Sequence, residues 1–117
     1  MNALKNQVGG NHYKNMDPQP IEFIMENDLN FIQGNIVKYI SRFEHKNGVE
    51  DLKKIVHYAK LGLELDNDRH WLDRDTVNSL SQFLGQNDFT QFKGDIVLYA
   101  CKKYYREIVT ETEGHLS

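Results

Sequence analysis

Apolar residues recur at helical spacing along most of this chain, and no stretch alternates as a half-buried strand would. The clearest case lies between Gly34 and Tyr58, GNIVKYISRFEHKNGVEDLKKIVHY. Ile36, Tyr39, Ile40 and Phe43 fall at i, i+3, i+4 and i+7, one apolar face of a helix. Asn30 is placed to cap that helix, which is expected to run to about His45. Asn47-Gly48 then signals a turn. Glu50 and Asp51 open a third helix with Leu52, Ile55, Val56, Ala59 and Leu63 as its core face. Tyr58, Leu61 and Leu65 make a second apolar stripe nearly opposite, so this helix lies between two layers or meets another subunit.

On either side the pattern continues. Residues 1–19, with Gly9-Gly10, Asp17-Pro18 and Pro20 just beyond, read as a loop-like arm. Pro20 suits a first helical turn, and Ile21, Phe23 and Ile24 give a short helix to about Glu26. Residues 20–66 form the first helical unit and 67–117 the second. There Asp73 or Asp75 caps a helix through Leu84 that Gly85 ends. A long final helix is expected from Asp88 or Phe89 to Val109. Ile96, Tyr99 and Ala100 form its apolar face, widened by Val97, Cys101, Tyr104 and Ile108, and a frayed polar end, TETEGHLS, follows. A shift of sixty residues places Phe23, Asn27, Asp28, Gly34, Ile36, Val37 and Tyr39 on Phe83, Asn87, Asp88, Gly94, Ile96, Val97 and Tyr99. This is either a degenerate helical repeat or a chance likeness of two amphipathic helices. The expected class is all-α, a small bundle of about five helices in a single domain over 1–117.

Composition narrows the function classes. A length of 117 residues with 26% charged positions suits one soluble domain with a modest core. A net charge of −3 gives no general attraction to nucleic acid or anionic membranes, so any anion site is local. No apolar run reaches the length of a membrane span or a signal peptide, and a reducing cytoplasm is the expected setting. The single cysteine, Cys101, reads as a small core residue, and no Cys/His cluster has zinc-ligand spacing. Nothing points to haem or flavin, and no phosphate loop of the G-x-x-x-x-G-K-[ST] type occurs.

Candidate chemistry gathers on the helix after Asn30. Asn35, Arg42 and Lys46 line one flank beside Tyr39, with Lys38 one turn from Arg42. An amide, several cations and a phenol meet there, where a phosphate or polar ring could bind. The solvated side of many amphipathic helices looks the same. Both lysine and arginine lie off the core face, so removing Lys38 and Arg42 together is expected to leave stability nearly unchanged.

The ordered set Gly34-Asn35-x-x-Lys38-Tyr39-x-x-Arg42, then Lys46, Glu50-Asp51-Leu52, Lys54 and Tyr58, resembles a small bacteriophage domain family. That family includes the nucleoside monophosphate kinase of lytic tailed phages. The resemblance extends upstream to His12-Tyr13 and Pro20-Ile21-Glu22 and covers roughly residues 10–65. It implies phosphoryl transfer from ATP to a (deoxy)nucleoside monophosphate in a host-cell cytoplasm. Such chemistry needs positioning and charge neutralisation more than covalent catalysis. Arg42 and Lys38 would be its catalytic cations, with Lys46 and Lys54 adding charge. The arm would contribute His12, Tyr13 and Lys14. Tyr39 or Tyr13 would stack on the base, Asn35 would read its edge, and Tyr58 would complete the pocket. Asp51 with Glu50 would hold Mg²⁺ directly or through water.

Two other readings use the same residues. One is a phage accessory protein that binds a nucleotide or nucleotide-like signal without turnover. The other is a helical protein that docks on a host enzyme. The carboxylate spacing of the all-α nucleotide pyrophosphohydrolases is missing, since Glu22 and Glu26 are four apart and no E-x-x-D follows. Surplus apolar surface on two helices leads to the expectation of a homo-oligomer, a dimer at least.

Overall fold

A computed structural model of the chain describes residues 3–5, 13, 15–45, 47–69 and 71–117. Among them are six α-helices, two 3₁₀ turns and no strand. The helices are α1 (Pro20–Glu26), α2 (Phe31–Arg42), α3 (Val49–Leu65), α4 (Arg74–Gln86), α5 (Gln91–Lys102) and α6 (Tyr105–Leu116). The 3₁₀ turns are Ala3–Lys5 and Phe43–His45, the second carrying the chain from α2 toward α3. The all-α class expected from the periodicity is what is found.

Local signals fix the first half. Pro20 stands at the start of α1, and the Gln19 N–H donates to Glu22 Oε1 at 3.0 Å. Asn30 caps α2, accepting from the Gln33 N–H at 2.9 Å while Gln33 reaches back to the Asn30 N–H. The Asn47-Gly48 turn uses a positive φ of 44° at Gly48, which glycine adopts without a Cβ penalty. Leu52, Ile55, Val56 and Ala59 are buried as their spacing requires, while Leu63 is only partly buried against the core.

The sixty-residue shift is a structural repeat. Asn27 and Asn87 each donate a side-chain amide to the carbonyl four residues back, at 2.9 and 3.0 Å. Asp28 and Asp88 follow with positive φ of 52° and 54°. Asn30 and Thr90 then cap α2 and α5. Contacts between the halves are reciprocal, as a two-fold relation demands. The equivalent rings of Phe23 and Phe83 stack on each other, centroids 4.6 Å apart and planes 12° apart. Gln33 Nε2 donates to the Cys101 carbonyl at 3.4 Å, and Lys93 Nζ, its equivalent, donates to the Ser41 carbonyl at 3.3 Å. The core runs between these halves, through Ile36, Val37, Ile40, Ile96, Val97 and Ala100.

The second half departs from expectation in three places. Gly85 does not stop α4, which continues to Gln86, and the left-handed residue is Asp88. The long final helix breaks at Lys103, which adopts φ 59° and lets the Tyr104 N–H reach the Tyr99 carbonyl at 2.9 Å. The polar end is ordered helix: Thr112 is fully buried, and His115 stacks on Phe92 at 4.1 Å.

The break has a tertiary cause. Asp66, just past α3, accepts from Lys103 Nζ at 2.9 Å, from the Tyr105 hydroxyl at 2.6 Å and from Asn30 Nδ2 at 2.8 Å. That junction folds α6 back onto α3, and the Tyr105 ring lies where a Cβ on Gly62 would sit, 2.6 Å away. Tyr58 and Leu61 are half-buried, and Leu65 remains 74% exposed. The apolar surplus that suggested a subunit contact is therefore largely covered within the chain. Cys101 is buried in the core as expected, and burial pushes its thiol pKa up to about 12, far from a reactive thiolate.

Candidate anion-binding site

Tyr39 is the centre of the predicted cluster, and it is a wall rather than a platform. The residue is 9% exposed. Lys38 Nζ lies 4.4 Å from its ring centroid, the Arg42 guanidinium carbon 5.0 Å, and Lys54 Nζ 5.1 Å. The Tyr58 ring stacks nearby at 6.1 Å. Three cations around one ring are held by its negative face, an attraction worth about 0.5–1 kcal/mol each at exposed sites. With its surroundings so crowded, Tyr39 has little room to stack on a base.

Asp51 does not stand open for a metal either. Its side chain has 0% exposure, with Oδ2 3.1 Å from Arg42 Nε, and Oδ1 3.4 Å from Arg42 Nη2 and 4.0 Å from Lys54 Nζ. Glu50, one residue earlier, is exposed. This pair does not suit direct Mg²⁺ coordination. Among the described residues no group of three or more His, Cys, Asp or Glu could hold a metal ion. Arg42 is accordingly a structural residue as well as a candidate ligand: its side chain is 12% exposed and grips a buried carboxylate. Burial disfavours its charge, but Asp51 and Tyr13 outweigh this and keep its pKa above the ordinary value. The expectation that Lys38 and Arg42 can be removed together without loss of stability is corrected for Arg42.

From the arm, Tyr13 is brought to this cluster. It is half-buried, its hydroxyl 3.5 Å from the Lys38 carbonyl and beside Arg42. Burial raises its pKa while Arg42 pulls the other way. Asn35 donates to the Phe31 carbonyl at 2.8 Å, which fixes its side chain along α2. His12, Lys14 and Lys46 lie outside the described residues.

Beside the cations is a cavity of about 310 Å³ between α1 and α2. Ile21, Ile24, Leu29, Phe31 and Gly34 supply most of its wall, and Asn35, Lys38 and Tyr13 its polar side. Phe31, 74% exposed, meets Tyr58 edge-on at 6.0 Å. Sequence reasoning missed Phe31 because it stands outside the core stripe. An exposed aromatic at the start of a helix, with Lys38 two turns later, is the signal that was available.

Fold and site together define an all-α bundle of two degenerate repeats with a local basic and aromatic face on the first. Residues 8–60 carry a domain matched by a family model described as a protein of unknown function (DUF3310). The matched stretch holds α1, α2 and most of α3, and stops short of the second repeat. No curated protein and no solved structure matches the chain. No helix among the described residues is long and apolar enough to cross a membrane.

Proposed function

We propose that the chain binds a nucleoside phosphate on the face formed by α2 and the start of α3. The observation that carries this reading is the placement of Lys38, Arg42 and Lys54 around Tyr39, with Lys38 also lining an apolar cavity. Two of these cations share one carboxylate, Asp51, so positive charge is left over for an anion. Arg42 is held by Asp51 and contributes its positive field, while Lys38 and the part-exposed Lys54 act as point charges for the phosphate. The resemblance to the phage nucleoside monophosphate kinases supports the same ligand class.

Binding without turnover is favoured over phosphoryl transfer, because Asp51 is buried against Arg42 and Lys54 and does not suit direct Mg²⁺ coordination. The experiment is incubation with labelled ATP and a panel of deoxynucleoside monophosphates, alongside equilibrium titration with each monophosphate. Binding without diphosphate product is expected. Diphosphate formation restores the kinase reading, and the absence of any binding removes both.

A further inference from the structure

We infer that the cavity between α1 and α2 receives the planar ring of the bound nucleotide and holds it by contact rather than by reading its edge. This rests on the proposed function, since it assigns the non-phosphate part of the same ligand. Lys38 lines the cavity and also lies 4.4 Å from the Tyr39 centroid, so one residue joins the apolar space to the cation cluster. A small molecule with an anion at one end and an apolar ring at the other meets both regions at once. The volume, about 310 Å³, is at the lower end of the range of about 300–1,000 Å³ for small-ligand sites. It suits a single ring system, and Phe31 at the wall offers an aromatic edge or face to it.

Amides on the wall are already engaged. Asn30 accepts from the Gln33 N–H and donates to Asp66, at 2.9 and 2.8 Å. Asn35 donates to the Phe31 carbonyl, and Gln19 Nε2 to the Leu4 carbonyl. Each of these amides is thus held in place by a protein partner, and most of the remaining wall is carbon. A site that reads an edge discriminates strongly, whereas an apolar wall discriminates by fit alone. The four common bases are expected to bind within about tenfold of one another.

Isothermal titration of the full chain tests this, with the four ribonucleoside monophosphates and with ring-free tripolyphosphate. Ile21, half-exposed at the cavity wall, is replaced by Trp to fill the space, and Asn35→Trp fills it from α2. Melting temperatures close to wild type confirm that both variants fold. Each plug is expected to weaken the monophosphates about tenfold or more while tripolyphosphate stays within about twofold. A wild-type complex should also show nuclear Overhauser contacts from base protons to the Ile21 and Ile24 methyls. Nucleotide affinity unchanged in both plugged variants, or base contacts absent from those methyls, overturns the inference and leaves the phosphate site standing. Octyl phosphate competing as well as a nucleotide assigns the space to an alkyl chain and overturns it too. A wild type that binds neither nucleotide nor tripolyphosphate brings down the proposed function with it.

Discussion

On the outer face of the first repeat, Asn35, Lys38 and Arg42 surround Tyr39; sixty residues on, the same places hold Asp95, Leu98, Lys102 and Tyr99. The backbone is common to both, down to the positive φ at Asp28 and Asp88 and the side-chain cap that follows. Electrostatically the two faces are opposed. Tyr39 has three cations at its ring, whereas partial burial and the carboxylates of Asp95, Glu111 and Glu107 push the Tyr99 phenol pKa up. Lys102 turns instead to Tyr104, 5.4 Å from its ring, and Arg69 there is bound by Glu107 through two 2.7 Å contacts. One supersecondary unit thus supports two chemistries, and function has to be argued from the side chains placed on it.

The carboxylates break or confirm this contrast most sharply. Asp51 is buried beneath Arg42, and Glu111, sixty residues later, is exposed. Replacing Asp51 by Ala leaves Arg42 largely buried without its partner, and a loss of about 3–5 kcal/mol is expected in urea unfolding. Glu111→Ala should change stability by no more than about 0.5 kcal/mol. Equal losses at the two positions would erase the distinction.

Ligand binding is next in size. Lys38→Ala with Lys54→Ala should weaken nucleotide binding about tenfold or more, equivalent to about 1.4 kcal/mol or more, with little change in melting temperature. Lys102→Ala, on the equivalent place of Arg42, should leave affinity unaltered. A comparable loss in the Lys102 variant would move the site, or spread it over both repeats.

How much of this was legible in the sequence follows from the range of the forces involved. Boundaries set by local chemistry were readable: Pro20 at the start of α1, Asn30 at the cap of α2, Asn47-Gly48 before α3. The break at Lys103 was not, because no glycine marks it; the contact with Asp66 that accompanies it comes from 37 residues away. The helical tail was hidden by composition, since TETEGHLS is polar although Thr112, His115 and Leu116 turn toward the rest of the molecule. In the site, helical spacing placed Lys38 and Arg42 beside Tyr39, while Lys54 joins them from α3 and Lys46 lies outside the described residues. Spacing did not reveal that Arg42 reaches across the turn to Asp51, or that α1 and Phe31 enclose a cavity, because both depend on how helices pack. The oligomer expectation rested on surplus apolar surface on two helices; the fold-back of α6 onto α3 covers part of it, and Leu65 stays exposed.

The Asp66 junction, which ties α3 to the start of the second repeat's last helix, gives a pH signature. Burial alone would raise its pKa, but hydrogen bonds from Tyr105, Lys103 and Asn30 outweigh that and hold it below the ordinary carboxylate value. A carboxylate with a depressed folded-state pKa stabilises the fold above its unfolded pKa, about 3.9, and loses that contribution as pH falls toward the folded value. Wild type should therefore melt higher than Asp66→Asn at pH 6, and the gap should narrow on going to pH 3. A gap that stays constant across this range would show that the junction acts through shape and not through charge.

The smallest effect is expected where the second repeat buries a hydroxyl and the first buries only carbon. Leu52 and Thr112 are sixty residues apart, and both side chains are buried, at 4% and 0% exposure. Leu52 brings only carbon to the core, whereas Thr112 Oγ1 is the buried side-chain polar atom without a hydrogen-bond partner among the described residues. A buried hydroxyl left unpaired costs about 1–3 kcal/mol in lost hydration, and an apolar group of the same shape avoids that cost. Thr112→Val keeps the β-branch and the volume, so it should raise stability by about 1 kcal/mol. Thr112→Ser keeps the hydroxyl, removes a methyl, and should lower it. The readout is the urea midpoint at unchanged slope, which separates a stability change from a change in the unfolded chain. A valine variant less stable than wild type would mean that the hydroxyl is bonded in solution, and that the second repeat has found a polar use for a place where the first is purely apolar.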